Sequence, residues 1–142
     1  MLFRSDLSKA LPILINSKTH RPSVCNAAET LLVHKKVKDE FLPIALRELH
    51  NAGVKLHGDE QTLAVARELH IPIEKAVEES WSTEYGVLEM NVGVVDSLEA
   101  AVDHILQYGT NHTEAIVTES EENAQQFIAL SDCAAEIGRA HV

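Results

Sequence analysis

The residue with the strongest chemical case is Cys25, in the run His20-Arg21-Pro22-Ser23-Val24-Cys25-Asn26. It follows a polar break and precedes the apolar run Thr30-Leu31-Leu32-Val33, so it stands at an element end, where catalytic groups are presented. A thiolate is nucleophilic near neutral pH, and a neighbouring cation or helix N-terminus favours that form. Arg21, four residues earlier, can hold a phosphate with its planar fork of donors. Asn26 and the backbone N–H of Cys25 can face a developing oxyanion. Composition alone argues the other way: a lone cysteine beside an apolar run is more often a buried core residue. Arg21 reads equally well as a solvated surface arginine.

The remaining candidates are weaker. Eight histidines suggest metal, but they are scattered, with no Cys-x-x-Cys or His-x-x-x-His spacing, so no metal site is expected. No Gly-x-Gly-x-x-Gly or Walker loop is present, which leaves no glycine loop to cradle a phosphate. The acidic run Glu119 to Glu122 reads as a first helical turn, where negative charge is favourable. Cys133 is expected to be structural or incidental, and it stands too far from Cys25 to suggest a disulfide framework. With 22 acidic against 12 basic side chains, the net charge is −10. Such a balance disfavours nucleic acid and anionic membranes, which need clustered Lys and Arg. No apolar run approaches the ~18 residues of a membrane span. A cytoplasmic protein is the expectation.

The elements that must position Cys25 follow from periodicity. Leu7, Ala10, Leu11, Leu14 and Ile15 predict a first helix, followed by the polar break at Lys18 to Ser23. Strands are expected near 30–34, 54–57, 91–95 and 115–118, with a further strand over Ile73 to Val77 and an acidic loop or turn over Glu78 to Tyr85. Val37, Phe41, Ile44, Ala45 and Leu49 predict a helix ended by Gly53; Leu63, Ala66 and Leu69 predict another, stopped before Pro72. Leu98, Ala101, Val102 and Ile105 predict a helix capped by Asp96 or Ser97 and closed by Gly109. Ala124, Phe127 and Ile128 mark the last. Strands alternating with helices imply an α/β, three-layer αβα fold with a mostly parallel sheet.

The ends carry a separate message. Leu2-Phe3-Arg4-Ser5 can be encoded by CTCTTCCGATCT, whose reverse complement lies inside a coding string for Glu136-Ile137-Gly138-Arg139-Ala140-His141-Val142. The two ends can thus be the two strands of one common sequencing adapter. Residues 1–5 and 136–142 are therefore expected to be scars that pack against nothing specific. Residues 6–135 are expected to be an internal piece of a longer catalytic domain.

The stretch Asn16-Ser17-Lys18-Thr19-His20-Arg21-Pro22-Ser23-Val24-Cys25-Asn26-Ala27-Ala28-Glu29-Thr30-Leu31-Leu32-Val33-His34 resembles γ-glutamyl phosphate reductase. A second match runs from Val95 and Ala101 through His104-Ile105, Tyr108-Gly109-Thr110 and His112-Thr113-Glu114 to Ile116, at the spacing of that family. The resemblance implies a partial catalytic domain of the aldehyde dehydrogenase superfamily, and an NADPH-dependent reduction of L-glutamate 5-phosphate to L-glutamate 5-semialdehyde in proline biosynthesis. It makes Cys25 the nucleophile that expels phosphate and forms a thioester, with Arg21 and Asn26 as substrate ligands. It also makes Glu84 a candidate contact to the nicotinamide ribose, against the plainer reading of an acidic surface turn. A homo-oligomeric parent cooperating with glutamate 5-kinase is implied too, with the chain alone inactive and most NADPH contacts elsewhere. Two rivals stand beside this reading: another thioester-forming aldehyde dehydrogenase or acyl reductase, for which Val24 before the cysteine is atypical, and a non-catalytic scaffold of the same fold.

Overall fold

The computed structural model describes residues 2–3, 7–131 and 135–140, with side chains over 7–131. The strands are β1 (Leu2–Phe3), β2 (Thr30–His34), β3 (Lys55–Gly58), β4 (Glu74–Lys75), β5 (Glu89–Val95), β6 (Thr113–Thr118) and β7 (Ala135–Ala140). Between them run α1 (Leu7–Thr19), α2 (Lys38–Asn51), α3 (Glu60–Glu68), α4 (Leu98–Tyr108) and α5 (Glu121–Leu130), with a 3₁₀ turn at Glu78–Ser82. All pairings among the described strands are parallel, in the order β4-β3-β5-β2-β1-β6-β7.

The strands are apolar because both faces are covered. Leu31, Val33, Leu56, Met90 and Val92 pack with Ala10, Leu14, Phe41, Leu46 and Ala66 of α1 to α3. Leu32, Val95 and Ile116 are buried in smaller clusters with Leu98, Ala101 and Val102 of α4 and with Ala124 and Phe127 of α5. Alternate residues of β2 thus serve different layers, which is the period-2 rule at work. The expected αβα arrangement is present.

Helix ends follow local chemistry. Ser97, one of the two expected caps, accepts from the Ala100 N–H at 3.0 Å. Ser120 does the same for Asn123, and Glu121 and Glu122 occupy the first turn of α5. Asp59 caps α3 through Oδ1 to the Thr62 N–H at 2.9 Å, while its Oδ2 accepts from the Val94 N–H at 2.8 Å, tying the helix start to β5. Gly53 follows α2 at φ +83°, a conformation that costs glycine nothing.

Two expectations need correction. The strand foreseen over Ile73 to Val77 contracts to Glu74–Lys75, exposed at the sheet edge against β3. The acidic stretch from Glu78, expected as a loop or turn, holds a 3₁₀ turn over Glu78–Ser82. The ends do not stand apart from the sheet: Leu2–Phe3 bridges β2 and β6, and Ala135–Ala140 pairs along all of β6. Backbone groups of a parallel strand offer hydrogen bonds to any extended segment, so pairing there needs no selected side chains. Cys133 lies outside the described residues.

Candidate functional site

Cys25 sits on the loop between α1 and β2, and its free thiol is exposed. Composition favoured a core cysteine; the loop places it outside. Turn bonds organise the backbone: the Val24 N–H donates to the Arg21 carbonyl at 3.3 Å and the Ala27 N–H to the Val24 carbonyl at 3.1 Å. The loop's exit is pinned twice, with the Ala28 N–H on the Ser17 carbonyl at 2.9 Å and the Asn91 N–H on the Glu29 carbonyl at 2.9 Å.

Cys25 and Asn26 border a cavity of about 620 Å³ that Trp81, Thr83 and Glu84 also line. Arg21 is exposed on the loop and does not border it. The structure therefore gathers Cys25, Asn26 and Glu84, and leaves Arg21 outside. The inner part of the cavity is lined by Thr30–Leu32 of β2 and Thr113–Ala115 of β6. Those are the stretches that β1 does not bridge, since its pairs fall at Val33, Val117 and Thr118. So the apolar depth of the cavity is a gap in the sheet, and Cys25, Asn26 and Glu84 border its mouth.

The mouth lies at the N-terminal ends of β2, β5 and β6. Open parallel sheets ordinarily hold dinucleotides at the opposite, C-terminal edge.

A polar network holds this edge together, and periodicity gave no hint of it. Lys18 is 0% exposed, and its Nζ meets Glu29 Oε1 at 3.1 Å. Burying a cation is costly unless it is paired, and this pair offsets part of that cost. Glu29 Oε2 accepts from the Tyr85 N–H at 2.7 Å. The Tyr85 hydroxyl donates to Asn91 Oδ1 at 2.8 Å, and Asn91 Nδ2 donates to the Ser80 carbonyl at 2.7 Å and to Thr30 Oγ1 at 3.2 Å. The Tyr85 ring stacks on His57 at 5.3 Å, and His57 Nε2 meets Glu89 Oε2 at 2.6 Å. Desolvation raises the Tyr85 phenol above its ordinary range.

On the far wall, His104 meets Trp81 edge-on at 5.0 Å and Tyr108 at 4.7 Å. Burial lowers its pKa, which favours the neutral ring. Trp81 itself lies over Gly93, where an added Cβ would come within 3.1 Å of the indole. Glu114 on β6 has its pKa raised by burial. Among the described residues, no three His, Cys, Asp or Glu side chains gather as a metal site requires.

No protein-family model matches the chain. It is 53% identical over 131 residues to γ-glutamyl phosphate reductase of Thermobifida fusca, covering 92% of this chain and 30% of that protein. It is 47% identical to the enzyme of that name from Caldicellulosiruptor bescii, again over 131 residues. The crystal structure of the Thermotoga maritima γ-glutamyl phosphate reductase superposes with a TM-score of 0.89 at 44% identity, over 96% of this chain and 32% of that one. Propionaldehyde dehydrogenase from Clostridium phytofermentans superposes at 0.69 with 13% identity, a likeness of fold alone. The chain thus spans about 30% of the length of the curated relatives it matches, and its fold is part of an aldehyde-dehydrogenase-like α/β unit.

Proposed function

We propose that this chain is a segment of a γ-glutamyl phosphate reductase and carries its nucleophile, Cys25. The observation that carries the reading is the exposed, free thiol on a hydrogen-bonded loop, bordering one cavity with Asn26 and Glu84. In this reading the Cys25 thiolate attacks the acyl carbon of L-glutamate 5-phosphate. The C–S bond forms, the bond to the phosphate oxygen breaks, and inorganic phosphate leaves a thioester on Cys25. The Cys25 N–H and the Asn26 amide face the oxyanion that develops on the way. Arg21, exposed and four residues before Cys25, serves the departing phosphate by reaching back over the mouth.

NADPH, when bound, supplies the hydride that takes the thioester to the aldehyde and returns the thiolate. Glu84 fits a contact to its ribose, being an exposed carboxylate on the cavity that Cys25 borders. The rest of the cofactor falls to polypeptide beyond these residues, since the chain has no glycine-rich phosphate loop and Cys25 occupies the N-terminal strand edge. A parent enzyme assembled from identical subunits, working beside glutamate 5-kinase in the cytoplasm, belongs to the same proposal.

The test is a chimera of the Thermobifida fusca enzyme in which the matched 131 residues are replaced by those of this chain. Cys25→Ser in that chimera is expected to lower turnover by about 10³-fold or more, because an unactivated hydroxyl is a poor nucleophile. NADPH binding, followed by its fluorescence, should persist. Turnover that survives Cys25→Ser would remove Cys25 from the role.

A further inference from the structure

We propose that Glu29 is the positioning residue of this site, fixing the Cys25–Asn26 turn against the segment that bears Glu84. This rests on the proposed function, because positioning has meaning only if Cys25 and Glu84 act together.

Glu29 stands four residues after Cys25 and uses both carboxylate oxygens on different elements. Oε1 holds the Lys18 ammonium at 3.1 Å, in the last turn of α1, the helix that leads into the Cys25 loop. Oε2 holds the Tyr85 N–H at 2.7 Å, one residue after Glu84. Its carbonyl accepts from Asn91 on β5. One side chain therefore spans the start of the reactive loop, its end, and the facing wall of the cavity.

The other fastenings of that wall are weaker or further away. Thr83 Oγ1 donates to the Glu79 carbonyl at 2.7 Å, but both groups are exposed and within one turn. The Tyr85 side chain is anchored to Asn91 and His57, which fixes the ring rather than the backbone at Glu84. The Glu29 carboxylate is the contact that joins the Glu84–Tyr85 backbone to the Cys25 loop. Lys18, with 0% exposure, cannot swing to another anion, so the carboxylate is held in one place. A charged acceptor on a backbone N–H also makes the stronger class of hydrogen bond.

Chemistry between a bound acyl group and a hydride donor tolerates little misplacement, and a shift of about 1 Å costs on the order of 10²-fold. In the chimera, Glu29→Ala is expected to lower kcat by about 10²-fold with KM changed less than about threefold. Glu29→Gln keeps an acceptor for the Tyr85 N–H and should retain kcat to within about tenfold of the parent. Leu46→Val, in the core away from the loop, supplies a destabilised control, and its kcat should stay near the parent value. Should Glu29→Ala fail to fold, the double variant Lys18→Met/Glu29→Ala leaves no buried charge unpaired and decides the matter, with the same 10²-fold loss expected. A kcat within about threefold of the parent in either Ala variant, or a loss no larger than that of Leu46→Val, would overturn the proposal. Failure of the underlying reading is separate: it would appear as turnover retained in Cys25→Ser, whatever the Glu29 variants do.

Discussion

Replacing Asn91 by alanine tests whether the polar network is a structural element in its own right. Asn91 is fully buried in the middle of β5, flanked by Thr30 on β2 and His57 on β3. Its side chain makes three hydrogen bonds, with the Tyr85 hydroxyl, the Ser80 carbonyl and Thr30 Oγ1. Each contributes about 1 kcal/mol net, so their loss costs about 3 kcal/mol. The alanine also takes the shorter of two donors from the Ser80 carbonyl in the 3₁₀ turn carrying Trp81, leaving it the Thr83 N–H at 3.1 Å. For a chain of this size, 3 kcal/mol lowers the melting temperature by roughly 10 °C. With an m-value of about 2 kcal/mol/M, the urea midpoint falls by about 1.5 M. Asn91→Asp should be worse than Asn91→Ala. It accepts from Tyr85 but donates to neither Ser80 nor Thr30, and it buries a negative charge between β2 and β3. Equilibrium urea melts of the three proteins decide it. A loss below about 1 kcal/mol for Asn91→Ala, or an aspartate as stable as the asparagine, would refute the reasoning.

Three further outcomes follow from the same site. His104 has a folded pKa below its ordinary 6.5 because of burial, so its contribution is present above that pH and lost as pH falls through the folded value. His104→Phe, which keeps a ring against Trp81 and Tyr108, should flatten the melting temperature between pH 7 and pH 5 relative to the parent. Glu114 has a folded pKa above 4.5, again from burial, so stability is lost as pH rises through it. Glu114→Gln should be the more stable protein at neutral pH, with the difference vanishing below pH 4.5 in urea melts. Finally, the 142 residues alone should not reduce NADP⁺ when given L-glutamate 5-semialdehyde and phosphate, since they span about 30% of the relatives' length. Absorbance of NADPH above background that disappears in Cys25→Ser would contradict this.

The sequence by itself determined the local plan. Helical spacing from Leu98 to Ile105 and β-rich runs at Leu31–Val33 and Val92–Val95 became α4, β2 and β5, because the period of burial is written in consecutive residues. It also placed Cys25 at an element end, since a polar break before an apolar run cannot be buried on both sides. Tertiary structure decided what depends on distant partners. Sheet order is one such property: β5 inserts between β2 and β3, a choice made by packing across the whole sheet. The ends are another, since an extended segment pairs wherever an open strand edge offers hydrogen bonds, whatever its side chains. Lys18 reads as the start of a polar break, yet it lies in the last turn of α1 and is buried, because Glu29 arrives eleven residues later to pair with it. Asn91 stands between Met90 and Val92 in an otherwise apolar strand with no local reason. Its partners come from Ser80, Tyr85 and Thr30, and only the folded sheet brings those groups within reach of one amide.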